Sequence, residues 1–253
     1  MNQIKPDLDK GQHLLIDKEI LTEEIKVADI DKEDKILEIG AGAGVLTKEL
    51  AKKAKEVLAF EIDSRFKKDL RKLEEKYPHL KIIYNDAFNY SWKGYSKIVS
   101  NIPYFVSEQL INKMIKDDIP ESILIVGENF KNILEENKTK IGIIANLFYN
   151  IEFIMEVDKI SFSPIPRVDS WLIKMHKKKE ITKSEKLLRN ILTKQGKIKN
   201  AIIYSLVEEG MTKKESKKII EKFNLSGLLD KSIKTITRKT LLELKENLKN
   251  FFH

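Results

Sequence analysis

A parallel α/β sheet followed by a small helical domain is the architecture this sequence predicts, and two observations carry it. Between residues 35 and 126 short apolar runs alternate with amphipathic segments, and beyond residue 180 only helical periodicity is left. Strands are predicted at 35–39, 56–61, 81–84, 97–100 and 122–126, each short, apolar and buried in pattern. Helices are predicted between them at 45–54, 64–77, 106–115 and 128–135, where apolar positions recur every three or four residues. Alternation of this kind implies parallel strands with helices on both faces. A further helix at 139–149 precedes strands at 151–157 and 170–175, which have only a proline-containing loop (161–168) between them and so predict an antiparallel edge. A sheet domain is expected over 1–180 and a helical domain over 181–253. In the latter Thr212 and Glu215 have capping-box spacing, Gly210 and Gly227 stand where helices should end, and Leu241, Leu242, Leu244 and Leu248 form one apolar face.

Composition narrows the function classes. The chain has no cysteine and 4 scattered histidines, which excludes disulfides and thiolate zinc and leaves no expectation of a metal. No signal-like apolar core opens the sequence and no run approaches the roughly 20 apolar residues of a membrane span. A cytoplasmic monomer is expected. The net charge of +8 is unevenly placed: residues 1–180 hold 30 Lys+Arg against 31 Asp+Glu, whereas residues 181–253 hold 17 against 8. A basic tail suits a polyanion such as RNA, and equally a solvated helical face.

The chemistry-bearing residues follow the predicted strands in order. Glu38-Ile39-Gly40-Ala41-Gly42-Ala43-Gly44 comes directly after the first strand, and glycines there allow a sharp turn and close backbone approach to a ligand. Glu61 ends the second strand, 21 residues after Gly40, where a carboxylate could accept both hydroxyls of a ribose. A dinucleotide fingerprint would place its third glycine at position 45, which is Val45; the alternate spacing favours S-adenosylmethionine over NAD. Asp86-Ala87 after the third strand could accept from an adenine amino group or simply cap a turn. Asn101-Ile102-Pro103-Tyr104 follows the fourth. An adenine amino nitrogen is a poor nucleophile, because its lone pair is delocalised, and acceptors that favour its pyramidal form would speed attack. The Asn101 side-chain oxygen and the Ile102 carbonyl, turned by Pro103, are two such acceptors, and Tyr104 offers a stacking face for an extruded base. The plain alternative is an ordinary Asn-x-Pro turn.

Gly11-Gln12-His13-Leu14-Leu15, the glycine loop, Asn101–Tyr104 and the segment Phe162-Ser163-Pro164-Ile165-Pro166-Arg167-Val168-Asp169-Ser170 together resemble the ribosomal RNA adenine dimethyltransferases, over about residues 10–175. The resemblance implies a Rossmann-like seven-strand methyltransferase sheet, S-adenosylmethionine as donor, and dimethylation of two adjacent adenines near the 3′ end of small-subunit rRNA during ribosome assembly. It implies cofactor contacts from Gln12, His13, Leu15, Glu38, Gly40 and Gly42, and from Glu61, Ile62, Asp86, Ala87 and Asn101. It assigns the target base to Asn101, Ile102, Pro103 and Tyr104, with Phe162 opposite Tyr104; from the residues alone Phe162 is equally a core side chain.

Two segments depart from the family pattern. Of the usual Gln-x-Glu-x-Ala-x-Arg after the fifth strand only Glu128 survives, and residues 194–200 stand where a doubled arginine is common. Both leave the cofactor residues intact and bear on the RNA target. The alternatives are the related erythromycin-resistance methyltransferases, which modify large-subunit rRNA, and a non-catalytic RNA-binding assembly or transcription factor on the same fold. The intact Asn101–Tyr104 motif argues against the latter.

Overall fold

A computed structural model describes residues 12–102, 106–179, 181–223, 225 and 227–252. Pro103 and Tyr104 lie outside the described residues. The chain divides into two compact units, residues 1–136 with 149–177, and residues 137–148 with 178–253. The second unit thus takes in residues 137–148 ahead of the boundary expected near residue 180.

The first unit opens with β1 (Leu14–Leu15) and α1 (Lys18–Ala28), neither of which the periodicity predicted. Asp17 starts α1 by accepting the N–H groups of Glu19 and Ile20, and Asp29, in left-handed conformation, ends it. β2 (Lys35–Ile39), α2 (Val45–Ala51), β3 (Glu56–Phe60), α3 (Lys67–Lys76), β4 (Leu80–Ile83), β5 (Lys97–Asn101), α4 (Ser107–Lys116), β6 (Glu121–Gly127) and α5 (Glu128–Glu136) follow. After the second unit's α6 (Lys140–Phe148) come β7 (Tyr149–Val157), β8 (Phe162–Ser163) and β9 (Ser170–Lys177). The helix expected over 64–77 is a 3₁₀ turn at Ser64–Phe66 continued by α3, because the Asp63 side chain accepts the Arg65 N–H and tightens the first turn. The helix expected over 45–54 stops at Ala51.

Seven strands pair in the order β4-β3-β2-β5-β6-β9-β7. The first five run parallel, and β9 lies antiparallel to both β6 and β7, the antiparallel edge that the sequence predicts. Side chains alternate across the sheet, and Ile36, Val57, Ala59, Val99, Ile123 and Ile125 share one apolar core with Ile25 and Ala28 of α1, Leu46 and Leu50 of α2 and Leu70 of α3. Leu37, Leu58, Ile98 and Leu124, on the opposite face by alternation, are equally buried. Both faces of the sheet are therefore covered. Strand order reverses between β2 and β5, the switch point outside whose carboxyl ends open α/β sheets bind ligands. The two strands pair only at Ile36–Lys97 and Leu37–Ile98; farther along, the Ser100 hydroxyl donates to the Ile39 carbonyl (2.6 Å) and accepts the Ile39 N–H (3.2 Å). A side chain thus replaces the ladder where the crevice opens.

The second unit packs α6 with α7 (Lys183–Thr193), α8 (Ile198–Glu208), α9 (Lys213–Glu221) and α10 (Arg238–Phe251). Capping boxes at Thr182–Glu185 and Thr212–Glu215 start α7 and α9. Arg189, only 7% exposed, donates Nε–H to the Leu147 carbonyl (3.0 Å) and stacks over Phe148, fastening α7 to α6. Gly210, in left-handed conformation, follows α8 as expected. Gly227 instead lies in a turn well past α9, and Leu242 is 40% exposed while Leu241, Leu244 and Leu248 are fully buried. Position 242 falls outside the buried arc because successive helical residues turn by about 100°. Among the described residues no helix is long and apolar enough to cross a membrane.

Candidate active site

A cavity of about 270 Å³ opens at the carboxyl ends of the parallel strands, close to the lower end of ligand pockets at roughly 300–1,000 Å³. Four of the five parallel strands deliver expected residues to it. Gly40 follows β2, Glu61 and Ile62 follow β3, Asp86 and Ala87 follow β4, and Asn101 ends β5 with Ile102 beyond it. Gln12, His13, Gly42 and Phe162 line it as well. Glu38 lines an adjoining recess of about 60 Å³ that also touches Gly40, Gly42 and Asn101. Leu15 reaches only the recess and otherwise packs in the core, while its neighbour Leu14 faces the main cavity. Alternation along β1 decides which of the two does so.

The glycine loop is held in a conformation that L side chains rarely adopt. Gly40 has φ +81° and Gly42 φ +52°, and a Cβ on Gly42 would stand 2.9 Å from the Leu14 side chain. Gly42 donates its N–H to Glu61 Oε2 (2.6 Å), and the Asp63 N–H donates to Oε1 (2.7 Å). Each carboxylate oxygen keeps a further lone pair, and the residue is 4% exposed. Burial, opposed by these backbone hydrogen bonds, raises its pKa.

Gln12 donates to Asp63 Oδ2 (3.0 Å). The Arg65 guanidinium holds the Asp63 carboxyl well below the usual carboxylate range, so this anchor stays ionised. His13 Nδ1 lies 2.7 Å from the Pro164 carbonyl, and since a carbonyl only accepts, that nitrogen carries the proton. Leu14 and Leu15 pair with Ser163 and Phe162, so the β1–β8 ribbon brings Gln12 and His13 to the cavity that Phe162 and Ser170 also line, while Gly11 lies outside the described residues. Asp86 is both a lining residue and a cap, accepting the Phe88 N–H (2.9 Å). Phe162 is 4% exposed, a core side chain with one face on the cavity.

Five further residues shape the site without a signal in the sequence. Phe60, Phe66 and Phe88 supply aromatic wall, Ser100 bridges the strands at the crevice, and Glu24 lies beneath Asn101. Nothing in their local sequence distinguishes these aromatics from core residues or Glu24 from a surface charge. Only the register of α1 against the sheet shows otherwise. Glu24 is fully buried and both its oxygens lack a hydrogen-bond partner, as do Glu38 Oε2 and Asn101 Oδ1. Burial first, then the Glu38 charge, pushes the Glu24 carboxyl up to about 8 against the pull of the Asn101 amide, which lies near it but outside hydrogen-bond geometry; burial likewise lifts Glu38 to about 8. An acid whose pKa folding raises stabilises fully below its unfolded value and loses that contribution as pH climbs through the folded one. Stability should therefore fall by a few kcal/mol between about pH 4.5 and about pH 8, with a shallower fall in Glu24→Leu. Urea midpoints across that range check this, and identical slopes for the two proteins would rule out a buried neutral carboxyl at Glu24.

This arrangement suits an adenosyl cofactor. Glu61, just after β3, could accept from a ribose diol, and Asp86 with the phenylalanine walls could hold an adenine. A family model described as "Ribosomal RNA adenine dimethylase" matches residues 1–240. A probable ribosomal RNA small subunit methyltransferase A from Pyrococcus abyssi is 32% identical over 201 residues, covering 77% of this chain and 74% of the relative. Among solved structures, a dimethyladenosine transferase from Plasmodium falciparum superposes with a TM-score of 0.66 at 25% identity, covering 94% of this chain and 98% of that one. The 23S rRNA methyltransferase ErmE superposes at 0.63 with 20% identity, over 93% and 99% of the two chains, a likeness of fold alone. By that match and those relatives the chain belongs to the ribosomal RNA adenine dimethylases and is an rRNA adenine dimethyltransferase, whose family implies S-adenosylmethionine as the methyl donor.

Proposed function

We propose that this enzyme dimethylates two adjacent adenines near the 3′ end of small-subunit rRNA, acting as a monomer on an assembling subunit in the cytoplasm. The small-subunit assignment rests on the relative from Pyrococcus abyssi. The observation that carries the chemistry is the Asn101 side-chain oxygen, an acceptor without a donor at the end of β5, beside the cavity. An unmet buried acceptor costs about 1–3 kcal/mol, which an incoming amino group would recover.

S-adenosylmethionine, when bound, supplies a methyl group made electrophilic by the sulfonium. Gly40 and Gly42 would let the backbone approach it, Glu61 would accept its ribose hydroxyls, and Asp86 its adenine amino group. Asn101 and the Ile102 carbonyl would hold the target amino nitrogen pyramidal, with its lone pair free for the new N–C bond. Tyr104 and Phe162 would stack on the extruded base. The amino proton becomes strongly acidic once that bond forms and leaves to solvent, so His13 is needed only to position the entry segment.

RNA affinity is assigned to the helical tail. α9 alone exposes Lys213, Lys214, Lys217 and Lys218. Reversing these four to glutamate should weaken rRNA binding and lower the slope of log K against log salt by roughly 0.7–0.9 per lost phosphate contact, leaving cofactor affinity unchanged. Unaltered RNA affinity would reduce the tail to a stabilising cap. The target itself is tested by incubating the enzyme with labelled S-adenosylmethionine and separated ribosomal subunits lacking the modification, then mapping the methylated adenines by mass spectrometry. Label confined to the large subunit would overturn the assignment.

A further inference from the structure

We propose that Glu24 is a positioning residue that sets which end of the Asn101 amide faces the target adenine. The inference rests on the reading of Asn101 as the acceptor for the target amino group.

Glu24 occupies an inward position of α1, between Leu21 and Ala28 on the face that packs against the sheet. An apolar residue would satisfy that face, yet a carboxyl stands there, fully buried and with neither oxygen paired. Its neighbours are the Asn101 amide at the end of β5 and the Glu38 carboxyl on β2, and each of these also has one unpartnered oxygen. By alternation Glu38 and Asn101 lie on the same sheet face as Ile36 and Val99, the face α1 covers. Three polar groups therefore meet under the cavity with more acceptors than donors.

Protonation decides how they can be arranged. A carboxylate only accepts, so an ionised Glu24 requires the Asn101 Nδ2 amino group and turns Oδ1 toward the cavity. A neutral carboxyl can also donate, and then tolerates the amide either way round, including the unproductive one with Oδ1 turned inward. The charged group facing Glu24 is Glu38 of β2, with Glu61 acting in turn on Glu38; β6 contributes the apolar Ile123 and Ile125, Asn101 of β5 is uncharged, and on α1 itself Glu23 is paired with Lys26 at the surface. Burial and Glu38 together keep Glu24 neutral until about pH 8. Above that, one amide orientation is enforced.

The test is single-turnover methylation of small ribosomal subunits lacking the modification, at saturating S-adenosylmethionine, from about pH 6.5 to about pH 9.5. The wild-type rate should rise about three- to tenfold across this range as the productive orientation becomes obligatory. Glu24→Gln, uncharged at every pH and able to donate or accept, should be flat at the wild-type low-pH level. Glu24→Leu should be flat and about tenfold below the wild-type plateau, with cofactor affinity by calorimetry within about twofold of wild type in both variants. A merely structural Glu24 would not transmit a pH profile that glutamine abolishes. If Glu24→Gln keeps the wild-type rise, or Glu24→Leu turns over at the full wild-type rate, the assignment is overturned. Asn101→Ala measured in parallel separates the two layers: full activity there defeats the acceptor reading itself, whereas an impaired Asn101→Ala beside a Glu24→Gln that keeps its pH rise defeats only the role of Glu24.

Discussion

Asn101→Ala is expected to lower single-turnover methylation by roughly 10²–10³-fold, the loss typical of one preorganised transition-state hydrogen bond. The loss should fall on the methyl-transfer step more than on substrate affinity, because the bond from the target amino group to the amide oxygen tightens as that nitrogen becomes pyramidal. Asn101→Asp keeps an acceptor but sets a third carboxyl beside Glu24 and Glu38, both already raised to about 8, so its rescue should be partial. Rates on the natural rRNA with binding measured separately decide the matter, and a fully active alanine variant would sink the mechanism. Tyr104→Phe should retain most activity and Tyr104→Ala should not, since base stacking contributes roughly 1–3 kcal/mol and needs the ring rather than the hydroxyl.

The second large effect belongs to Glu61. Glu61→Ala should weaken S-adenosylmethionine binding by roughly 10²-fold or more, since two charge-assisted hydrogen bonds to the ribose are lost at about 1.5–3 kcal/mol each. Glu61→Gln should be almost as damaging. Both carboxylate oxygens accept backbone N–H groups, from Gly42 and Asp63, and an amide would set its own N–H₂ against one of them. The glycine loop would then lose its tether together with the ribose contact. Calorimetry for affinity and thermal melting for fold integrity check this; unchanged affinity in a folded Glu61→Ala would remove Glu61 from the site.

Much of this site was legible along the chain because an open parallel sheet delivers strand ends in order. Gly40, Glu61, Asp86 and Asn101 each stand just after or at the end of an apolar run, and the sheet gathers those ends on one edge. α1 carries a weaker signal. Its inward face carries Glu24 among Leu21, Ile25 and Ala28, and the charge masks the helical stripe. β1 and β8 are two residues each, too short for any period, and exist only because they pair with one another across almost 150 residues of chain.

The sequence by itself determined the alternation that makes a parallel sheet, the antiparallel edge, the glycine loop with its acidic partner, and the concentration of positive charge beyond residue 180. These are local properties, fixed by periodicity, by the backbone freedom of glycine and by residue type. Only the tertiary structure decided which of Leu14 and Leu15 faces the cavity, that residues 137–148 join the helical unit, and that Ser100 bridges β2 and β5 where their ladder stops. It also decided that Glu24, a charge like its neighbours in the sequence, is buried against Glu38 and Asn101. The reason is common to all of these: solvent exclusion and hydrogen-bond pairing depend on what arrives from distant parts of the chain, and those arrivals set both the pKa of a carboxyl and the end of an amide that a substrate meets.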